Sequence, residues 1–448
     1  MGEDVKNANR GPCSGALRHW VRAVMAGLLA TFTVGEVLAD QGETAGVAAE
    51  DHDGEGTPQA PPEEQAERVE RTLPEATIAA DGLYVEFGRG VRMVSDDEDF
   101  GLTLRGRVQT RATWRDREGE DADILFKVRR ARMVLLGDLP EQSLSLYIQL
   151  GLGSSDIERD NPIPLRDAVV TWTGLRDASV RAGQMKVPFS RERMISSSAL
   201  QLADRSAVNA ELSLDRDVGL QVYSSDLFGL GQRLGYQLGV FGGEGRNRAA
   251  AGTGLLYAGR LQVQPLGAFP DAMLEADLSR SPVPRLSLGV AGGYNVETRR
   301  ARSTHGAFLE DGWAFDTLHA AADLMFKWRG LSVQAETIWR DARNPRRPHD
   351  LEEDEDEPGP PLPRTGLGWF VQLGWVGPTG MELSGRVSEV RPLADDESAL
   401  VTSREFTLGA GRYMRNHDLK LQADYTLALT GDGDVAGHEA RLQMQFFF

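Results

Sequence analysis

The sequence predicts an all-β protein: a transmembrane antiparallel β-barrel of about sixteen strands, starting near residue 100. Three observations carry that prediction. Apolar and polar residues alternate persistently from Phe100 onward, the connections alternate between short and long, and the last strand ends on Phe446-Phe447-Phe448. Alternation at every second position is the pattern of a strand with one face in lipid and the other in a polar lumen.

The chain has 448 residues, 41% hydrophobic and 26% charged, with 50 Gly and one Cys. It contains no apolar run long enough for a spanning helix, which a β-barrel does not need. At the N-terminus, Lys6, Arg10, Arg18 and Arg22 precede an apolar stretch from Ala23 to Gly35. Val37-Leu38-Ala39 then offers small residues before Asp40, so residues 1–39 read as a cleaved signal peptide. Cys13 lies within it, leaving an exported chain without cysteine.

Residues 40–82 are rich in Gly, Ala, Pro and acids, and bulky apolar residues are few. Such a segment buries too little surface to offset the entropy of ordering, so it is expected to be a disordered periplasmic linker. Residues 83–448 form the barrel unit, with Leu83 to Val94 as an extra strand outside the main set. The net charge of −18 is unevenly spread. Residues 40–99 carry seventeen acids and four bases, and Asp350 to Glu357 carry seven acids. The barrel body is therefore near neutral, and global charge says little about which ions it favours.

Sixteen strands follow, at about 100–115, 125–137, 143–153, 165–174, 179–186, 216–225, 233–242, 254–265, 285–295, 314–328, 331–340, 366–376, 379–390, 403–414, 418–429 and 437–448. Many reach ten to twelve residues, the length a tilted strand needs to cross a bilayer. Even-numbered connections such as 138–142, 175–178, 329–330 and 377–378 are short, as periplasmic turns are. Odd-numbered ones such as 154–164, 187–215, 296–313 and 341–365 are long, as external loops are. One breaks the order: Leu266 to Pro284 is long where a turn is due, and Ala272 to Leu278 is expected to pair briefly there. Trp328, Trp339, Trp369 and Trp375 near strand ends fit interfacial girdles. The aromatic terminus, ending at Phe448, is the signal such barrels present to their assembly machinery.

Several segments resemble the phosphate-selective porin O and P family. They are Val128-Arg129-Arg130-Ala131-Arg132, Asp167-Ala168, Gly183-Gln184-Met185-Lys186-Val187-Pro188-Phe189 and Ser196-Ser197. Asp204-Arg205-Ser206, Arg216-Asp217-Val218-Gly219, Gly239 to Gly243, Gly385-Arg386-Val387-Ser388 and the Leu442 to Phe448 ending extend the match. The resemblance covers about 100–448 and is strongest through 128–245. It implies a bacterial outer-membrane porin, homotrimeric, whose arginine-lined pore conducts anions such as phosphate or polyphosphate. The chain departs from the family's lysine clusters, with five Lys in all against 44 Arg.

On the first strand Arg105, Arg107 and Arg111 form an inward row in steps of about 7 Å. Guanidinium groups stay charged and offer bidentate donors to phosphate, and rings of Arg or Lys select anions. A wall of ion pairs with Asp167, Asp217, Glu336 or Glu382 is the alternative reading of the same residues. Loop 187–215, the third external one, sits where porins fold a loop inward. Its candidates are Lys186, Arg191, Arg193, Arg205 and Arg216, joined by Arg129 from the second strand, with Ser196 to Ser198 as hydroxyl donors. The acidic run Asp350 to Glu357 reads as a solvated external loop, without the spacing of a calcium site. No metal spacing, nucleophilic site, cofactor motif or nucleic-acid signature is visible, so no catalysis is expected. Passive diffusion of small anionic solutes across the outer membrane, with lipid around the barrel, is the expected function. A general or cation-tolerant porin, or a closed structural barrel or adhesin, is the alternative.

Overall fold

In the computed structural model, residues 77–80, 83–95, 99–157, 161–249, 254–309, 312–346, 360–394 and 398–448 are described. The signal-peptide and most of the linker reading, and the acidic run Asp350 to Glu357, lie outside these residues.

Sixteen antiparallel strands, β4 to β19, close into a barrel. They are β4 (Gly101–Arg117), β5 (Asp123–Leu139), β6 (Leu144–Gly151), β7 (Leu165–Trp172), β8 (Ser179–Lys186) and β9 (Arg216–Ser224). Then come β10 (Leu234–Phe241), β11 (Leu256–Val263), β12 (Arg285–Thr298), β13 (Ala314–Trp328) and β14 (Leu331–Arg346). The last five are β15 (Gly366–Val376), β16 (Met381–Pro392), β17 (Ser403–Arg415), β18 (Leu419–Thr430) and β19 (Val435–Phe447). Each strand pairs with its sequence neighbour, and β19 returns to β4 through pairs such as Gln443↔Arg111, which abolishes a free edge. All sixteen expected strands are present, with ends shifted by a few residues.

Three short strands precede the barrel: β1 (Thr77–Ala80), β2 (Leu83–Glu86) and β3 (Gly90–Val94). β3 pairs with β4 over Gly101 to Leu104, below the stretch of β4 that β19 occupies. The segment expected to be linker thus ends in a strand, and the expected single extra strand is a small meander hydrogen-bonded onto the barrel.

The inside-outside division follows the alternation. On β4 Arg107, Gln109, Arg111 and Thr113 are buried inward, while Leu104 and Thr110 are exposed. Leu220, Leu383 and Leu408 stand on the outer face, 60%, 66% and 71% exposed, as lipid-facing side chains. Trp328 and Trp375 face outward at the short-turn end, the periplasmic end in this class of barrel.

Two glycines are demanded by close approach. Gly183 in β8 has φ +128°, and a Cβ there would meet the Ala168 carbonyl at 2.0 Å. Gly106 in β4 leaves space for the Phe448 ring, which a Cβ would approach to 1.9 Å. Backbone bonds in both directions between Gly106 and Phe448 fix the C-terminus to the first barrel strand.

A sixteen-stranded barrel is wide enough to leave an aqueous channel, yet two segments enter this one. The 187–215 loop carries two short helices, α1 (Arg191–Met194) and α2 (Ala207–Leu212), and is buried along most of its length. Residues 264–284, between β11 and β12, enter from the opposite end. The expected pairing at Ala272 to Leu278 does not occur: that stretch has no strand and is packed inside the barrel. A turn of this length need not form extra sheet when apolar residues give it an interior to fill.

Candidate functional site: the lumenal constriction

The 187–215 loop leaves β8 where Pro188 ends the strand by removing a ladder donor. Phe189 and Val187, both fully buried, join a cluster with Val208, Leu212, Leu214, Ile338, Phe370 and Val390. Burying each large apolar side chain stabilises by roughly 1.5–3 kcal/mol, which draws the loop across to the wall of β14 to β16.

Each anchor has an identifiable partner. The Ser190 hydroxyl caps α1 by accepting from the Arg193 N–H, and Glu336 accepts from the Arg191 and Glu192 N–H groups, both at 3.1 Å. The Glu192 carboxylate in turn accepts from the Ser206 N–H at 2.8 Å and the Ser206 hydroxyl at 2.6 Å, tying α1 to the cap of α2. Lys420 donates to the Leu200 carbonyl at 2.7 Å, and the Ala203 N–H donates to Asp424 at 2.8 Å. The Gln201 amide donates to Glu382 at 2.7 Å. Glu211, near the end of α2, is held by Arg340 at 3.0 Å and Arg364 at 2.8 Å. The loop therefore bridges the whole lumen.

The expected site residues divide into two groups. Arg111 pairs with Asp204 and donates to Gln443 at 2.7 Å. Arg129 reaches the same carboxylate at 3.1 Å and Arg130 at 3.3 Å. Two neighbours in one strand share a face because the register shifts between Gln109 and Thr110, leaving Arg129 as the extra residue of a bulge. Arg107 donates to Ser197 at 2.9 Å, and Arg105 donates to the Gly88 carbonyl at 2.9 Å; both guanidiniums lie over the Phe447 ring.

The other group holds the loop. Arg191 is wholly buried, 2.5 Å from Asp323, and donates to Ala272 and Ser287. Arg205 donates to the carbonyls of Glu192 and Ile195 at 2.8 and 2.6 Å, and Lys186 to that of Met194 at 2.9 Å. Arg216 forms a bidentate pair with Asp167 at 2.9 and 3.0 Å, and Arg193 lies 3.7 Å from Asp215. Of the four wall carboxylates expected to pair with arginine, Asp167 does so. Asp217 accepts from backbone N–H groups, Glu336 caps α1, and Glu382 accepts from Gln201 and Tyr413.

Sequence reasoning missed Lys127, Arg130 and Arg441, and left Arg115 off the site. Lys127 lies within electrostatic range of Arg111, Arg115, Arg129 and Asp204. Arg441 is 2.5 Å from Asp424 and 3.7 Å from Asp204. Arg115 is 3.8 Å from Glu439. Six cationic side chains thus surround three carboxylates on the outer side of the inserted loop, among the described residues. The pairing of Arg441 with Thr113 of β4 was a long-range signal that only barrel closure supplies.

Burial works to raise the Asp204 carboxyl, but Arg111, Arg129 and Arg130 outweigh it and hold it well below the usual carboxylate range. Burial lowers Arg205 to about 10, with Arg193 acting in the same direction. Among the described residues no group of three or more His, Cys, Asp or Glu has the arrangement of a metal site.

A closed barrel with a lipid-facing apolar belt and a loop folded across a charged lumen defines an outer-membrane channel. The chain belongs to the phosphate-selective porin O and P family, whose description matches residues 102–380. It is a porin of the bacterial outer membrane. Among solved structures it is similar to Salmonella typhi OmpF in complex with daunomycin, with 14% identity and a TM-score of 0.54 over 80% of this chain and all of the other. The outer-membrane channel DcaP of Acinetobacter baumannii is similar at 11% identity and a TM-score of 0.50, again over 80% of this chain and all of the other. The anion-selective porin from Comamonas acidovorans gives 13% identity and a TM-score of 0.49 over 78% of this chain and all of that one. The first two likenesses bear on the fold. No curated protein matches the chain.

Proposed function

We propose that this porin passes small anions by passive diffusion, with phosphate and short polyphosphates among them. The observation that supports the reading is the excess of cations around Asp204: Arg111, Arg115, Lys127, Arg129, Arg130 and Arg441 against Asp204, Asp424 and Glu439. An anion entering from outside meets this field before the loop narrows its path, and Arg offers it planar paired donors. Arg105 and Arg107 continue the row toward the periplasm.

A cation-tolerant general porin is the second reading. It draws on the pairing of most lumenal guanidiniums with carboxylates, as in Arg216–Asp167 and Arg132–Asp156 at 3.0 Å. The apolar belt meets outer-membrane lipid, Phe448 serves the assembly machinery, and the working unit is a homotrimer. Reversal potentials in a KCl gradient across a planar bilayer, followed by phosphate titration, test the proposal. Anion selectivity with block by phosphate is expected, weakened in Lys127→Gln; cation selectivity overturns it.

A further inference from the structure

We infer that residues 264–284 form a second constriction, inserted from the periplasmic end, and that they set the largest solute the pore passes. The inference rests on the porin reading but not on its anion preference.

A turn in water has no reason to carry Phe269, Met273, Leu274 and Ala276 within eight residues. Here each is buried, and Phe269, Ala272, Met273 and Leu274 pack against Met194, Ile195, Ala199 and Leu200 of the external loop and Met325 of β13. Two connections from opposite ends of the barrel thus meet in one apolar cluster inside a polar lumen. Ala276 joins Val376 and Tyr413 in a second cluster closer to the wall.

The polar groups of the segment hold it in place rather than facing solvent. The buried Lys327 ammonium lies 3.0 Å from Asp271 and donates to its carbonyl at 2.7 Å. Asp277 accepts from the Gly330 N–H at 2.6 Å and the Ser281 N–H at 3.1 Å. Glu275 accepts from the Gln201 N–H at 2.8 Å and the Gln372 amide at 2.9 Å, while its own N–H donates to Ala199. The Arg191 guanidinium, already engaged with Asp323, donates to the Ala272 carbonyl at 3.1 Å. The external loop and the periplasmic segment therefore brace each other. On the β9 to β11 side, a small cavity of about 60 Å³ between Tyr223, Gln237, Arg260, Phe269 and Met273 marks where the segment stands off the wall.

A wide barrel narrowed by one loop keeps the free area on the far side of that loop. A second insertion stacked beneath it, along β13 to β17, removes area that the external loop leaves open. Solute size is then limited by both, and shortening the periplasmic segment widens the pore by removing that area together with the braces it gives the external loop at Ala199 and Gln201.

The test uses the full chain in planar bilayers, with heat-modifiable gel mobility as the measure of a folded barrel. In one variant residues 266–283 are replaced by Asn-Gly, a favoured tight turn; in another, Leu274→Asp places a charge in the apolar cluster. Conductance in KCl is expected to rise about twofold or more as lumen is freed, and larger neutral polymers are expected to enter. Folded variants with unchanged conductance and polymer cut-off would overturn the inference and leave the segment a structural brace. A silent wild type with conducting variants would show a plug rather than a size limit, and would overturn both the inference and the porin reading; silence in all overturns both as well. If neither variant folds, Met273→Cys in the otherwise intact chain decides. A small maleimide added from the periplasmic side is expected to label it slowly and a bulky one not at all. Rapid labelling by both overturns the insertion.

Discussion

Asp204 at the tip of the inserted loop and Arg111 on the inner face of β4 form an ion pair. The same carboxylate holds Arg129 and Arg130, so one loop residue masks much of the positive wall. Asp204→Asn is expected to unmask it and shift the reversal potential toward stronger anion selectivity. A shift toward cations, measured in the same KCl gradient, would contradict this assignment.

Arg191, near the start of the loop, pairs with Asp323 on the wall strand β13, and neither side chain is exposed to solvent. Breaking a buried pair by removing one partner costs about 3–5 kcal/mol, because the other charge stays buried. Asp323→Asn is therefore expected to lower urea resistance of the folded barrel by that order. Its reversal potential should stay near wild type, because Arg191 faces protein rather than open lumen.

Glu275 and Asp204 have opposite pH signatures. Burial, then Glu192, raises Glu275 above its ordinary 4.5. Its contribution to stability is full below the unfolded value and is lost as pH rises through the raised one. Asp204 is depressed, so its contribution is full above about 3.9 and is lost only as pH falls through its lowered value. Glu275→Gln should thus gain stability over wild type above the raised value, and the gain should vanish in acid below 4.5. Urea unfolding of both proteins across pH measures the difference, and a pH-independent gap would remove Glu275 as its source.

Gly106 and Phe448 share one volume, so Gly106→Val must displace the terminal ring. Overpacking of this kind costs about 1–3 kcal/mol. The folded, heat-modifiable fraction in the outer membrane is expected to fall, and Gly106→Ala should fall less. Equal folded yields for Val and wild type would show that the ring is free to move aside.

The strands were legible because lipid on one side and a polar lumen on the other impose a two-residue period wherever the chain crosses. The side of the lumen on which a loop residue ends was not. Arg191 and Arg205 look identical to pore-lining arginines in sequence, but one is buried against Asp323 and the other closes the carbonyls of its own loop. Arg129 and Arg130 would point to opposite faces in a regular strand, and the bulge that unites them depends on the partner strand. Arg441 enters the cluster through ring closure between residues more than three hundred positions apart. The length of 266–284 was visible, but its destination was not, because an apolar turn can seek lipid, a partner or the interior.

The anchors of the 187–215 loop also order events in time. Asp424 and Lys420, which hold its middle, follow it in the chain by 221 and 220 residues. The loop therefore cannot reach its final seat until β18 is in place, and contacts of such separation form late. A half-assembled barrel is an unfiltered hole, and discrimination among solutes is the last property the molecule acquires.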